Sequence, residues 1–196
     1  IVFYLLIAVL GFAVGKFIAW CNECFPKEEK IFRKEFFKAN KEGLENNYIL
    51  MCITAIMYVA LLYKFGIKNA IYQNLDLIKY LILTPMLISA FFVDLKHRII
   101  PNRLNLTIFE TGLIFVFLYG INNINIAKDM LFGMLTGAGI FVAITLLGGL
   151  IAGKEAMGFG DVKFMGAIGL YFGAGSIAEI SLLAFCIAAV LSIIIL

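Results

Sequence analysis

Two carboxylates carry the most specific chemistry in this sequence. Asp94 stands in Phe91-Phe-Val-Asp94-Leu-Lys-His-Arg-Ile-Ile-Pro101-Asn102, and Asp161 in Met157-Gly-Phe-Gly-Asp161-Val-Lys163. Two carboxyl groups brought within hydrogen-bonding distance do not ionise together easily, so one keeps its proton while the other stays charged near neutral or mildly acidic pH. Such a pair serves as acid and base on a single water, with no covalent intermediate and no metal. Gly158 and Gly160 suit the role, because without side chains they let a peptide backbone or a neighbouring helix come close to Asp161. Each carboxylate also has a plain structural role open to it: Asp161 as a helix cap or a partner of Lys163, Asp94 as a solvated residue at the end of an apolar run.

The other reactive side chains offer less. Glu110 falls inside an apolar run, where an ionisable group is costly and is expected to be buried, paired or part of a site. Glu155 precedes Asp161 closely enough to tune it. His97 reads as a solvated loop residue, and Lys16 as a lysine reaching for a membrane surface. The pair Cys21-Asn-Glu-Cys24 supplies two ligands where structural zinc takes four. Zinc would need His97, a carboxylate or a second chain, and is not expected. Four cysteines are too few for a disulfide scaffold, and Cys52 and Cys186 read as packing residues.

The elements that must position these groups are membrane helices. Of the 196 residues, 63% are hydrophobic and 15% charged, and the mean hydropathy is +1.00, which places the chain in lipid. Apolar runs of spanning length occur at Ile1 to Trp20, Tyr48 to Gly66, Leu77 to Val93, Leu104 to Ile121 and Met130 to Gly153. Lys163 to Gly173 alone is too short to cross about 30 Å of hydrocarbon at about 1.5 Å per residue. A helix starting near Ala156 is long enough, with Ile177 to Leu196 returning. The expectation is an all-α, polytopic transmembrane bundle of about seven spans, one domain over 1–196. The first run lacks a basic start and a small-residue cleavage site, and is read as a retained span. The chain starts without Met and stops inside an apolar run, as a chain trimmed at one or both ends would.

Between the first two runs, Cys21 to Asn47 carries six Lys or Arg and six Glu around Ile31, Phe32, Phe36 and Phe37. It reads as a short cytoplasmic amphipathic segment lying on the membrane surface. This segment, the stretch from Leu95 to Arg103 and that from Lys154 to Lys163 hold eleven basic residues, against four (Lys64, Lys68, Lys79 and Lys128) on the alternate side. The excess puts those three connections in the cytoplasm and the N-terminus outside. Two crossings separate Asp94 from Asp161, so both face the cytoplasm. A net charge of +3 distributed in this way reports topology, and no nucleic-acid partner is expected. Gly11/Gly15, Gly133/Gly137 and Gly169/Gly173 are spaced for close helix packing. Pro85 leaves a backbone carbonyl within the third span that must find another donor.

The stretch from Asp94 through Pro101 to Asn102, followed by Lys154-Glu-Ala-Met-Gly-Phe-Gly-Asp-Val-Lys163, resembles the two aspartate motifs of type IV prepilin peptidases, the Gly-x-Gly-Asp membrane aspartic proteases. The resemblance runs from about Leu77 to Gly173, and is weaker in the first span. It implies cleavage of basic leader peptides from prepilins or pseudopilins at the cytoplasmic face of a prokaryotic inner membrane, after a glycine and before an apolar segment. Asp94 and Asp161 take the catalytic role by this resemblance, and Gly158, Gly160 and Lys163 supporting ones. No cofactor is implied for proteolysis; S-adenosylmethionine enters only for a bifunctional member that also methylates the new N-terminus. Many members carry two CxxC pairs in the first cytoplasmic segment, whereas this chain has one. The related enzymes that cut signal-peptide remnants have Tyr-Asp at the first aspartate, where this chain has Val93-Asp94. From another class, a proton- or cation-coupled transporter would use Asp94, Glu110 and Asp161 as relay groups, although the two halves show no evident repeat.

Overall fold

A computed structural model of the chain describes residues 2–24, 48–68, 71–152 and 158–195. The expected amphipathic segment therefore lies, beyond Cys24, outside the described residues, as do Lys154 and Glu155. The described elements are helical: α1 (Val2–Cys24), α2 (Tyr48–Phe65), a single 3-10 turn (Ile71–Asn74), α3 (Leu75–His97), α4 (Asn102–Asn122), α5 (Ile124–Ala152) and α6 (Phe159–Ile195). Six helices are long and apolar enough to cross a membrane. The chain divides into two compact units, Ile1–Leu104 and Asn105–Leu196.

In the first unit α1 packs on α2 through its small residues. A Cβ added to Gly11 would stand 2.8 Å from the Ala55 Cα, and one on Gly15 would stand 2.6 Å from the Met51 Cα. Backbones this close allow the buried Thr54 hydroxyl to donate across the pair to the Gly11 carbonyl at 2.8 Å, the type of interhelical bond that lipid cannot supply. α1 runs through Cys24, beyond the end of its apolar run at Trp20, since Cys21 to Cys24 include neither Gly nor Pro to break it. The cysteine pair thus lies on the last turn of α1, with both residues buried and neither in a disulfide.

α3 contains Pro85. Proline has no N–H, so the carbonyl four residues earlier, that of Leu81, loses its helical partner. The Tyr58 hydroxyl of α2, itself buried, donates to that carbonyl at 2.8 Å. The Asn22 and Ser89 side chains are hydrogen-bonded, joining α1 to α3, beside a small core of Ile18, Ala19 and Leu50 with Val14, Ile88 and Phe92 against it.

In the second unit α4 and α5 are joined at Asn123, whose N–H bonds the Tyr119 carbonyl and whose Oδ1 accepts from the Asn125 N–H at 3.0 Å, an N-cap for α5. α6 is helical on both sides of Gly173, which has φ 79° and ψ 172°, a conformation that favours glycine. The chain doubles back there. A Cβ on Gly133 would meet both Gly169 and Gly173, and one on Gly137 would meet both the Met165 carbonyl and, at 3.2 Å, the Ile177 side chain. A straight helix would hold Met165 and Ile177 about 18 Å apart. Moving along α5, its partners step backwards from Gly169 to Met165 on one arm and forwards from Gly173 to Ile177 on the other, then to Phe185, whose ring lies 5.3 Å from that of Phe141. One arm is antiparallel to α5 and the other parallel. Counting the arms separately gives the seven helical segments expected, including the returning helix.

Candidate active site

Asp94 occupies the last turn of α3 and is exposed. The helix ends immediately beyond it: Arg98 adopts a left-handed conformation (φ 54°, ψ 33°) and its N–H bonds the Asp94 carbonyl at 2.7 Å. A left-handed arginine costs about 1 kcal/mol, retained here at the corner that follows the carboxylate. Pro101 closes the corner. Its carbonyl accepts the Leu104 N–H at 3.0 Å, and, with no N–H of its own to leave unpaired, it suits the entry to α4. The seven-residue interval between Asp94 and Pro101 is therefore a helix end, a left-handed turn and a helix start.

A cavity of about 320 Å³ adjoins this last turn of α3, lined by Ala19, Asn22, Leu50, Phe92, Val93, Leu95, Lys96 and His97. His97 is thus the final residue of a helix and lines this cavity with Lys96. The sequence reading had placed it in a loop, because the apolar run stops at Val93.

Asp161 occupies the first turn of α6 and is half-buried. Its N–H bonds the Gly158 carbonyl at 3.0 Å, and a Cβ on Gly158 would come 3.6 Å from its Oδ2, so the carboxylate lies over this glycine. Lys163 is exposed, with its ammonium 5.6 Å from the centre of the Phe159 ring. The second unit therefore brings Gly158, Gly160, Asp161 and Lys163 into the start of one helix. Glu110 lies near the middle of α4 on an exposed side. Glu155 lies outside the described residues.

Asn105 is a residue the sequence reading missed. It lies in the first turn of α4, is buried, and donates from Nδ2 to the Gly160 carbonyl at 3.2 Å. Its sequence signal is a polar residue in the second position of an apolar run. Deeper in the same unit, the buried Tyr171 hydroxyl donates to the Ile108 carbonyl at 3.1 Å and shares a hydrogen bond with the Thr111 hydroxyl. Gly112 packs beside it, where a Cβ would stand 2.9 Å from Leu170 Cδ1. These contacts tie α4 to the Asp161 arm of α6. Among the described residues no three His, Cys, Asp or Glu side chains gather as a metal ion would require.

Fold and site together define a multi-pass helical membrane protein whose acidic motifs lie at helix ends. Residues 81–193, more than half of the chain and a stretch that includes both Asp94 and Asp161, match the type IV leader peptidase family, and the chain belongs to that family. Among similar proteins, a prepilin leader peptidase/N-methyltransferase of Aeromonas hydrophila is 30% identical over 113 residues, 58% of this chain and 38% of the relative. A type 4 prepilin-like proteins leader peptide-processing enzyme of Escherichia coli O78:H11 is 31% identical over 106 residues, 54% and 39%. A prepilin leader peptidase/N-methyltransferase of Xanthomonas campestris pv. campestris is 30% identical over 140 residues, 71% and 45%. The chain spans about two-fifths of the length of these curated relatives. No solved structure matches it.

Proposed function

We propose that the chain is a membrane-embedded aspartic endopeptidase that removes basic leader peptides from type IV prepilins or pseudopilins at the cytoplasmic face of a prokaryotic inner membrane. The observation that carries this reading is the family match over residues 81–193, which takes in both aspartate motifs. Asp94 and Asp161 are the proposed pair, sharing one proton. The ionised member takes a proton from water as the oxygen adds to the scissile carbonyl, and the protonated member donates to the carbonyl oxygen. Collapse of the tetrahedral species breaks the C–N bond, and a proton returned by the pair leaves on the new amine. Gly158 and Gly160 leave room for the substrate backbone, Lys163 and Pro101 support the two motifs, and Glu110 and Glu155 are proposed to tune them. The substrate's apolar helix enters from the bilayer while its leader stays in water. Proteolysis by this route requires no cofactor. As a bifunctional enzyme the chain would also N-methylate the product with S-adenosylmethionine; Cys21 and Cys24 lie outside the residues matched to the family.

The test is cleavage of a synthetic prepilin leader peptide by the purified chain in detergent. Asp94→Asn and Asp161→Asn keep the shape and remove the exchangeable proton. Each is expected to lower cleavage by at least about a thousandfold without loss of yield, and the double variant to be scarcely worse than either single one, because both disable one unit. Multiplied defects would mean independent roles. Near-wild-type cleavage by either single variant would remove that residue from the site, and substrate uptake in proteoliposomes without cleavage would favour the transporter.

A further inference from the structure

Asn105 carries a buried acceptor that its own fold leaves unpaired. It is 5% exposed, its Nδ2 is engaged by the Gly160 carbonyl at 3.2 Å, and its Oδ1 is buried with no hydrogen-bond partner among the described residues. A side-chain amide oxygen has two acceptor sites, and native structures leave few such buried atoms unsatisfied. The donors nearest in sequence are the N–H groups of the first turn of α4, which a capping side chain would take. Asn105 instead turns its amide to Gly160, the residue before Asp161.

We propose that Asn105 Oδ1 accepts a main-chain N–H of the peptide being cut, next to the scissile bond; this rests on the leader-peptidase reading. A primary carboxamide carries the same donor and acceptor as a peptide bond. With its N–H taken by Gly160 and its carbonyl unpaired, Asn105 offers an extended segment, once the packing over Oδ1 parts, the acceptor that a neighbouring strand would present. The Gly160 carbonyl is already engaged, and Gly158 interposes no side chain between Asp161 and an approaching backbone. The ligand class is therefore an extended peptide read by its backbone. Asn105 is a substrate-positioning residue, and Asp94 and Asp161 remain the proton-transfer groups.

The test is an ester scan on the purified full chain. Amide N–H groups of a leader peptide are replaced one at a time by ester oxygens on either side of the scissile bond, which itself stays an amide. In the wild type, one ester is expected to lower kcat/KM about tenfold, the equivalent of one lost hydrogen bond, with most of the change in KM. Asn105→Leu, similar in volume and without polar atoms, is expected to cut the all-amide peptide about tenfold less well and to lose discrimination against that one ester, while Asn105→Gln regains part of both. A merely structural role would lower cleavage and leave the ester discrimination as in the wild type, and that result overturns the inference. So does a wild-type scan in which no ester costs more than about twofold, a result that requires no variant to fold. Failure of the wild type to cut the all-amide peptide at all overturns the leader-peptidase reading and this inference with it, whereas the first two results leave that reading standing.

Discussion

The hydrogen bond from Tyr58 to the Leu81 carbonyl makes a quantitative claim about how α3 tolerates Pro85. A buried carbonyl without a donor costs about 1–3 kcal/mol, yet interhelical hydrogen bonds within bilayers average only about 0.6 kcal/mol and reach about 1.7, because the unfolded chain in the membrane finds substitutes. Leu81 has no substitute within its own helix, since residue 85 carries no N–H in either state. Tyr58→Phe, which removes only the oxygen that bonds Leu81 at 2.8 Å, is therefore expected at the upper end, about 1.5 kcal/mol. Pro85→Ala restores the N–H, and in that background the same change should cost about 0.5 kcal/mol or less. The coupling of about 1 kcal/mol exceeds the 0.3–0.5 kcal/mol, roughly, within which independent changes add. Equilibrium unfolding of the four proteins in mixed micelles, followed by circular dichroism, measures it. Equal losses in the two backgrounds would refute the idea that Tyr58 serves the carbonyl freed by Pro85. Asp94 lies nine residues beyond Pro85 on the same helix, so Pro85→Ala should also reduce leader cleavage by redirecting the last turn of α3.

Gly173→Ala would drive a Cβ into the Asp129 carboxylate at a φ of 79°, and is expected to abolish folded yield and cleavage, whereas Gly175→Ala, with open space around it, should be nearly neutral; equal behaviour on size-exclusion chromatography and in cleavage would contradict the hairpin. Phe159→Cys and Gly175→Cys, near opposite ends of the Asp161 arm, should react with an impermeant maleimide from opposite sides of sealed vesicles, and labelling from the same side would rule out a spanning arm. Cys21→Ser combined with Cys24→Ser should leave leader cleavage within about twofold of wild type, and purified protein should hold zinc well below one ion per chain by atomic absorption; stoichiometric zinc whose removal stops cleavage would overturn that expectation.

The spans were legible because length and hydropathy alone decide which segments cross lipid. The reversal in α6 was legible for a related reason: an apolar run longer than one crossing, with glycines in its middle, has to turn. Pro85 announced a freed carbonyl, but nothing in the sequence named Tyr58 as its donor, since tertiary partners 23 residues from Leu81 leave no periodic mark. The last turn of α1, through Cys24, was not marked in the sequence because a switch from apolar to polar composition marks the membrane boundary and does not end a helix. Asn105 was missed because one polar residue near the start of a span reads as solvated; only the fold shows that its amide faces Gly160. Glu110 carried the opposite signal, an acid within an apolar run, and stands on an exposed side of α4.

The depth of Asp161 follows from helix lengths within the second unit. α4 has 21 residues, about 32 Å at 1.5 Å per residue, close to the roughly 30 Å of a bilayer's hydrocarbon. Asn105 is three residues from its start, about 4.5 Å along the axis, and its hydrogen bond holds Gly160 at the same level. Asp161 therefore lies within about one turn of the end of a helix whose length matches the membrane. α5 is longer, with 29 residues. The antiparallel pairing of Gly137 with Met165 sets Asp161 level with Phe141, so the last eleven residues of α5 extend about 16 Å past the carboxylate. A carboxylate at this height is within reach of bulk water, and in the proposed reaction it would meet the substrate where a water-soluble leader joins an apolar helix. One at mid-bilayer would meet only the interior of spanning helices, whose backbone is already hydrogen-bonded and closed to attack. Measured on α4 and the Asn105–Gly160 bond, the proposed cleavage falls near the membrane surface; measured on α5, whose exposed Leu146, Leu147 and Leu150 continue the apolar span past Asp161, it falls deeper.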